Sequence, residues 1–276
     1  MFGTLYLVPT PIGNLGDISQ RALSTLEQAD FIAAEDTRVS LKLLNHFGIK
    51  KPLVSYYRHN TAQAGEAILA RLLGGESCAL VTDAGTPAIS DPGEELVVLC
   101  AAHAVQVVSI PGACAITTAL AASGLPTGRF TFEGFLAMNK KNRREHLDEL
   151  KTETRTMVFY EAPHKLKATL ADFAAAFGAE RPMALCRELT KLHEEILRMS
   201  MGEAVTYYET ESPRGEYVLV VQGCVPVEKA KPTIADGLER VRALQAEGLS
   251  ARDAVKQAAK ELDLPRNGLY QASLEE

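Results

Sequence analysis

No apolar run in the 276-residue chain approaches the roughly 18 residues needed to span a bilayer. The opening "MFGTLYLVPTPIGN" also lacks the basic stretch followed by a long apolar one that marks a signal peptide. A cytosolic protein with no membrane partner is therefore expected. Cysteine is scarce and scattered: Cys78, Cys100, Cys114, Cys186 and Cys224 are odd in number and never closely spaced. That excludes a disulfide framework or a zinc knuckle and leaves small core residues, with no metal expected. Cationic excess is missing too. A formal net charge of −6 does not suit a general nucleic-acid binder, because phosphate binding is dominated by Lys and Arg, so any basic surface has to be local. Finally, there is no standard nucleotide fingerprint. "PIGNLGD" has glycines after a strand but neither the Lys-Ser/Thr of a phosphate loop nor the three-glycine spacing of a dinucleotide fold.

What is present is a globular composition, 46% hydrophobic and 23% charged, on a chain long enough for two modest domains. Short apolar strands alternate with helical patterns five times over the first ~120 residues. The strands are "TLYLVPTPIG", "FIAAEDTR", "KPLVSYY", "CALVTDAG" and "VQVVSIPG". Because they are continuous apolar runs and not alternating ones, they imply a mainly parallel sheet covered on both faces. Asp17 is expected to cap the first helix, Asn60 or Thr61 the third, and Asp91 the fourth, with Pro92 on its first turn. In such a sheet ligands lie beyond the carboxyl ends of the strands, where "PTPIGN", "AEDTR", "DAGTPAISDPG" and "PGACA" all fall.

The pattern restarts near Pro126 and Gly128. Strands "RFTFEGFLA", "TMVFYEAP", "RPMALCREL" and "GEYVLVVQG" with helices "NRREHLDELK" and "HKLKATLADFAAAFG" form a second α/β domain. After the polar, proline-containing linker "VPVEKAKPT", the rest reads as helices with a helix-turn-helix layout. The expected divisions are an N-terminal α/β domain over 1–122, a second over 123–226 and a helical tail over 233–276.

Several constellations can carry chemistry. In "DAGTPAISDPG" glycines allow backbone to approach a ligand and prolines keep the loop rigid; "DAG" is expected to touch the ligand and "SDPG" to start the next helix. "AEDTR" gathers Glu35, Asp36 and Arg38, which can position a hydroxyl, tune a proton acceptor or form a surface ion network. "FYEAPHK" and "CRELTKLHEE" add Glu161, His164, Arg187 and His193, where a histidine is either a base or a cap. "MNKKNRREH" concentrates Lys140, Lys141, Arg143 and Arg144, which is either a solvated helix face or a phosphate-backbone footprint.

Taken in order, "LVPTPIGNLGDIS", "AEDTR", "VTDAGTPAISDPG", "SIPGACA", "FYEAPHKL", "CRELTKLHEE" and "GEYVLVV" resemble the tetrapyrrole methylase-like class III methyltransferases. More narrowly the sequence resembles the ribosomal small-subunit methyltransferase I family over nearly its whole length. The resemblance implies two α/β domains with a cleft between them for S-adenosylmethionine. It also implies a homodimer, and 2′-O-ribose methylation of a cytidine in the decoding region of 16S rRNA, free or in the small subunit. By motif position it implies donor contacts from Pro9, Asp83, Ala84, Gly85, Ala88, Cys114, Ala115, Glu161 and Leu189. The family assigns no base; Glu35, Asp36 and Arg38, with Glu161, His164 and Arg187, are the candidate acceptor-side groups, and Lys140, Lys141, Arg143 and Arg144 the candidate RNA contacts. A methylase of tetrapyrroles or another small acceptor, and a non-catalytic RNA-binding relative, are the competing readings.

Overall fold

The computed structural model describes residues 1–225 and 232–274. The expected linker over 225–233 therefore lies largely outside the described residues, as do the last two residues of the tail. The chain divides into two compact units, Met1–Cys224 and Val225–Glu276.

The first unit holds two five-stranded sheets. One contains β1 (Thr4–Leu7), β2 (Phe31–Ala34), β3 (Leu53–Ser55), β4 (Cys78–Val81) and β5 (Gln106–Ser109), in the order β3-β2-β4-β1-β5. Every pairing in it is parallel. The continuous apolar runs have a direct structural cause. In β2, Phe31 and Ala33 join a core with Ile68, Leu72 and Leu96, while Ile32 and Ala34 join the opposite one with Leu26 and Leu44. Side chains alternate between faces, and helices cover both, so β2 and β4 are buried along their whole length, while the edge strands β3 and β5 keep exposed Ser55, Gln106 and Ser109. The helices are α1 (Gln20–Gln28), α2 (Thr37–His46), α3 (Thr61–Leu73), α4 (Glu94–Ala102) and α5 (Ala115–Ala122).

The second sheet is mixed. Its strands are β6 (Phe130–Phe135), β7 (Thr156–Glu161), β8 (Pro182–Arg187), β9 (Glu195–Ser200) and β10 (Tyr217–Val221), in the order β6-β7-β10-β8-β9. Only β6 and β7 run parallel. Helices α6 (Lys140–Leu150), α7 (Pro163–Phe177) and α8 (Met201–Thr210) cover one face. The other face packs against α5, with Val158, Ala184 and Val218 meeting Ile116, Ala119 and Leu120. Helix α5, reached directly from the first sheet's last strand β5, thus packs on the second sheet.

Three expected caps are corrected. The first helix begins at Gln20 and is capped by Ser19, whose Oγ accepts from the Ala22 N–H at 3.1 Å, while Asp17 ends a preceding 3₁₀ turn. Asn60 stands at the start of α3, but its side chain is turned away, accepting from Tyr57 N and donating to Ser55 O, so neither it nor Thr61 caps by side chain. Helix α4 starts at Glu94 after Gly93, and no side chain caps it. Strand β9 and helix α8 carry no signal in the sequence reading because β9 is a half-buried edge strand with charges at Glu195 and Arg198.

The second unit is a three-helix body of α9 (Ile234–Ala246), α10 (Ala251–Glu261) and α11 (Arg266–Ala272) around Val241, Leu244, Val255 and Leu269. Gly237 is required by close packing, since a Cβ there would lie 2.7 Å from both Leu264 and Leu269 methyls. Thr233 and Asp236 form a capping box, and Ser250 caps α10. Among the described residues no helix is long and apolar enough to cross a membrane. Nor do they place three or more His, Cys, Asp or Glu where they could hold a metal.

Candidate active site

The loops leaving β1, β4 and β5 are bound to one another before any side chain matters. Thr10 and Gly85 exchange two backbone hydrogen bonds of 2.9 Å, the Thr10 hydroxyl donates to Thr82 O, and the Thr86 hydroxyl donates to Ala113 O at 2.8 Å. Between β4 and α4 the chain takes positive φ at Gly85 (86°), Ala88 (66°), Ser90 (70°) and Gly93 (146°). Two of these are not glycine, a conformation that costs about 1–3 kcal/mol each. The result is that Ile89, Ser90 and Asp91 face the same cleft as Ala84 and Gly85.

The second sheet supplies the opposite wall, from Phe135, Tyr160 and Glu161, from Leu189 and Lys191 after β8, and from Glu216 just before β10 with Tyr217 and Val218 on it. Glu188 (φ 50°) and Thr190 (φ 66°) are again left-handed. Lys191 Nζ donates to Glu188 Oε1 at 2.9 Å and to Glu216 Oε2 at 2.8 Å. Gly13 admits this loop, since a Cβ there would sit 2.4 Å from the Lys191 side chain. The cleft encloses about 420 Å³, in the range of small-molecule sites.

Its charge is lopsided. Asp91, Glu161, Glu188 and Glu216 line it, against Lys191 alone among the described cations. Glu161 is buried; Oε2 accepts from the Thr169 hydroxyl and Oε1 from Ala162 N at 2.9 Å. Thr169 in turn accepts from Arg143 at 2.8 Å. Asp91 is half-buried, and burial, aided by the Glu35 and Asp83 carboxylates and opposed by Arg58, pushes its carboxyl up to about 6. Burial also raises the Tyr160 phenol.

Of the residues expected at the donor, Ala84, Gly85, Cys114, Ala115, Glu161 and Leu189 line this cleft. Pro9, Asp83 and Ala88 do not. Pro9 is packed beneath Gly112, where a Cβ would meet the proline ring at 2.7 Å. Asp83 accepts from Asp36 N at 3.2 Å on the rim, and Ala88 stands behind the loop against Gly93. The expected division of "DAGTPAISDPG" changes as well, because Ser90 and Asp91 are on the cleft wall and not at a helix cap.

Of the candidate acceptor-side groups only Glu161 lines the cleft itself. Asp36 caps α2 through Arg38 N (2.8 Å) and chelates the Arg38 guanidinium (3.0 and 2.6 Å); these bonds hold its carboxyl at about 2. Glu35 accepts from Asp83 N at 3.5 Å, and burial raises its carboxyl. His164 is exposed on the first turn of α7, and Arg187 pairs with Glu195 at 3.3 Å. Lys140, Lys141 and Arg144 are exposed on α6, whereas Arg143 turns inward to Asp172 (2.6 Å) and Thr169. Sequence reasoning missed Asp91 because an Asp-Pro pair before a helix reads as a cap. It missed Phe135 and Glu216 because strand-end residues of a mixed sheet carry no local mark.

Residues 4–205 match the family model described as Tetrapyrrole (Corrin/Porphyrin) Methylases, and residues 232–276 match the RsmI C-terminal HTH domain. A ribosomal RNA small subunit methyltransferase I from Synechocystis is 48% identical over 273 residues, covering 99% of this chain and 98% of that relative. Among solved structures, a cobalt precorrin-4 methyltransferase superposes with a TM-score of 0.59 at 20% identity, over 79% of this chain and 94% of that one. A uroporphyrin-III C-methyl transferase from Thermus thermophilus, complexed with S-adenyl homocysteine, gives 0.52 at 17% identity, over 79% of this chain and 97% of that one.

Proposed function

The chain belongs to the ribosomal RNA small subunit methyltransferase I family within the tetrapyrrole methylases, and on that premise we propose that it methylates the ribose 2′-hydroxyl of a cytidine in the decoding region of 16S rRNA, using S-adenosylmethionine. The observation that carries the donor assignment is the charge balance of the cleft, where four carboxylates face one lysine that two of them already neutralise. A ligand with a sulfonium and an ammonium group suits such a site. Gly85 leaves its floor open to main-chain contact, and Ile12, Ile89, Leu189 and Val218 provide apolar walls. When bound, S-adenosylmethionine supplies an electrophilic methyl carbon on a good leaving group, so the protein's contribution is largely positioning.

Glu35, Asp36 and Arg38 belong, in this reading, to the acceptor-side rim, joined to the donor loop through Asp83. His164 and Arg187 flank the other wall, beside Pro163 and Cys186. Pro9 and Ala88 support donor contacts from behind. The enzyme acts in the cytoplasm on the ribosomal small subunit or its rRNA, as a homodimer. The deciding measurement is 2′-O-methyl mapping on small subunits from cells lacking the gene, before and after incubation with the protein and S-adenosylmethionine. One new methylated cytidine in the decoding region is expected. Methylation of a tetrapyrrole with no rRNA product would reverse the acceptor assignment.

Lys140, Lys141 and Arg144 present exposed charge on α6 and are proposed to hold the RNA backbone, with Arg143 buttressing that helix from within. Replacing the three exposed residues by alanine should weaken RNA binding and flatten its dependence on salt by up to about 0.7–0.9 in log–log slope per lost phosphate contact. A salt series on the triple variant that overlays the wild type would remove this segment from the interface.

A further inference from the structure

Four carboxylates line the cleft, and three of them are engaged. Glu161 accepts from Thr169 and from Ala162 N, Glu188 from Lys191 and from Glu216 N, and Glu216 from Lys191. Asp91 differs: among the described residues nothing donates a hydrogen bond to it, and the groups that act on it do so through charge alone. Its place on the wall is maintained by left-handed Ala88 and Ser90, a conformation that a loop serving only to start a helix would not need.

We propose that Asp91 is the general base of the transfer, taking the proton of the acceptor hydroxyl as its oxygen is methylated. The inference rests on the reading of the cleft as the methyl-donor site. The oxygen's lone pair forms the bond to the methyl carbon, the methyl–sulfur pair remains on sulfur, and the hydroxyl proton passes to the Asp91 carboxylate, which afterwards releases it to water.

The surroundings suit that role. Glu35 and Asp83 on the first sheet's loops and Tyr160 across the cleft face Asp91, and Arg58 is the cation that partly offsets them. Burial first, and the two carboxylates second, bring the group to about 6, close to the value at which a base is both ionised and proton-hungry at neutral pH. Asp36, held at about 2 by Arg38, is far weaker as a base. Glu161 has both oxygens committed to donors.

The test uses the full-length protein, small subunits lacking the modification, and the variants Asp91→Asn and Asp91→Glu. Donor affinity is read by calorimetry, and single-turnover rates are read from about pH 5 to about pH 9. In the wild type the rate should rise with pH through about 6, because deprotonation creates the acceptor. Asp91→Asn, which keeps the other three cleft carboxylates, should weaken S-adenosylmethionine binding by no more than about tenfold, lose about 100- to 10,000-fold in rate at saturating donor, and lose the rising limb. Asp91→Glu should recover part of the rate with a displaced limb, which a purely structural loss would not produce. An Asp91→Asn enzyme with wild-type rate and pH profile overturns the proposal. So does one whose defect lies in donor affinity alone, which would make Asp91 a binding residue. Failure of the wild type itself to bind the donor would instead overturn the reading of the cleft.

Discussion

Gly85→Val should sharply weaken donor binding while the protein remains folded. Gly85 has φ 86°, where a side chain costs about 1–2 kcal/mol. A Cβ there would already be 3.4 Å from Ile12 Cγ2 and 3.9 Å from Ala113 O, so the two valine methyls have only the cleft to occupy. Its backbone is tied by the two bonds to Thr10, which leaves the loop little freedom to retreat. That backbone strain is a cost of folding; binding is weakened by the methyls in the cleft, where overpacking of about 1–3 kcal/mol corresponds to roughly 5- to 150-fold in affinity. Calorimetry with S-adenosylmethionine measures it directly. Gly85→Ala, with one carbon and no branches, should fall between valine and wild type. A valine variant with an unaltered titration would show that this backbone does not face the donor.

Phe159→Ala should be the most damaging single core truncation for the same site. Phe159 is 1% exposed at the centre of β7, its ring 4.8 Å from that of Phe173. Truncating a buried phenylalanine costs about 3–5 kcal/mol, a large part of the roughly 5–15 kcal/mol that holds a domain folded. Strand β7 continues directly into Tyr160 and Glu161 on the cleft wall, so donor affinity should fall with stability. Urea unfolding of the variant beside Val98→Ala, whose side chain is 63% exposed, separates the effects, since the surface change should stay within about 0.5 kcal/mol. Equal midpoints for the two variants would contradict the packing described for this sheet.

The surroundings of two aspartates, Asp36 and Asp91, differ from the sequence reading for one shared cause. Asp36 beside Arg38 reads from the sequence as reactive charge, yet the turn into α2 directs both toward each other, and three hydrogen bonds, all from Arg38, make the carboxylate the cap of that helix. Asp91 beside Pro92 reads as a cap, yet Gly93 and the left-handed Ala88 and Ser90 delay the helix to Glu94 and leave the carboxylate on the cleft. In both cases a difference of about two residues in where a helix begins changes what the carboxylate faces.

The parallel sheet was legible because burial on both faces demands uninterrupted apolar strands, as in "FIAA" and "CALV", whose every residue is buried. The loops beyond those strands could be assigned to a ligand for the same topological reason. The mixed sheet was only partly legible. An edge strand such as β9 needs one apolar face, and its alternation is easily lost among charged neighbours. What the sequence alone determined was therefore the period and order of most elements and part of each cleft wall, through Ala84, Gly85, Cys114 and Ala115 on one side and Glu161 and Leu189 on the other. Only the tertiary structure decided which carboxylates are satisfied and which remains available. Glu161 meets Thr169 eight residues away, Glu188 meets Glu216, and Asp91 faces Tyr160. Local propensity governs where a strand or helix forms, but a side chain's hydrogen bonds, burial and proton affinity are set by neighbours that only packing brings together.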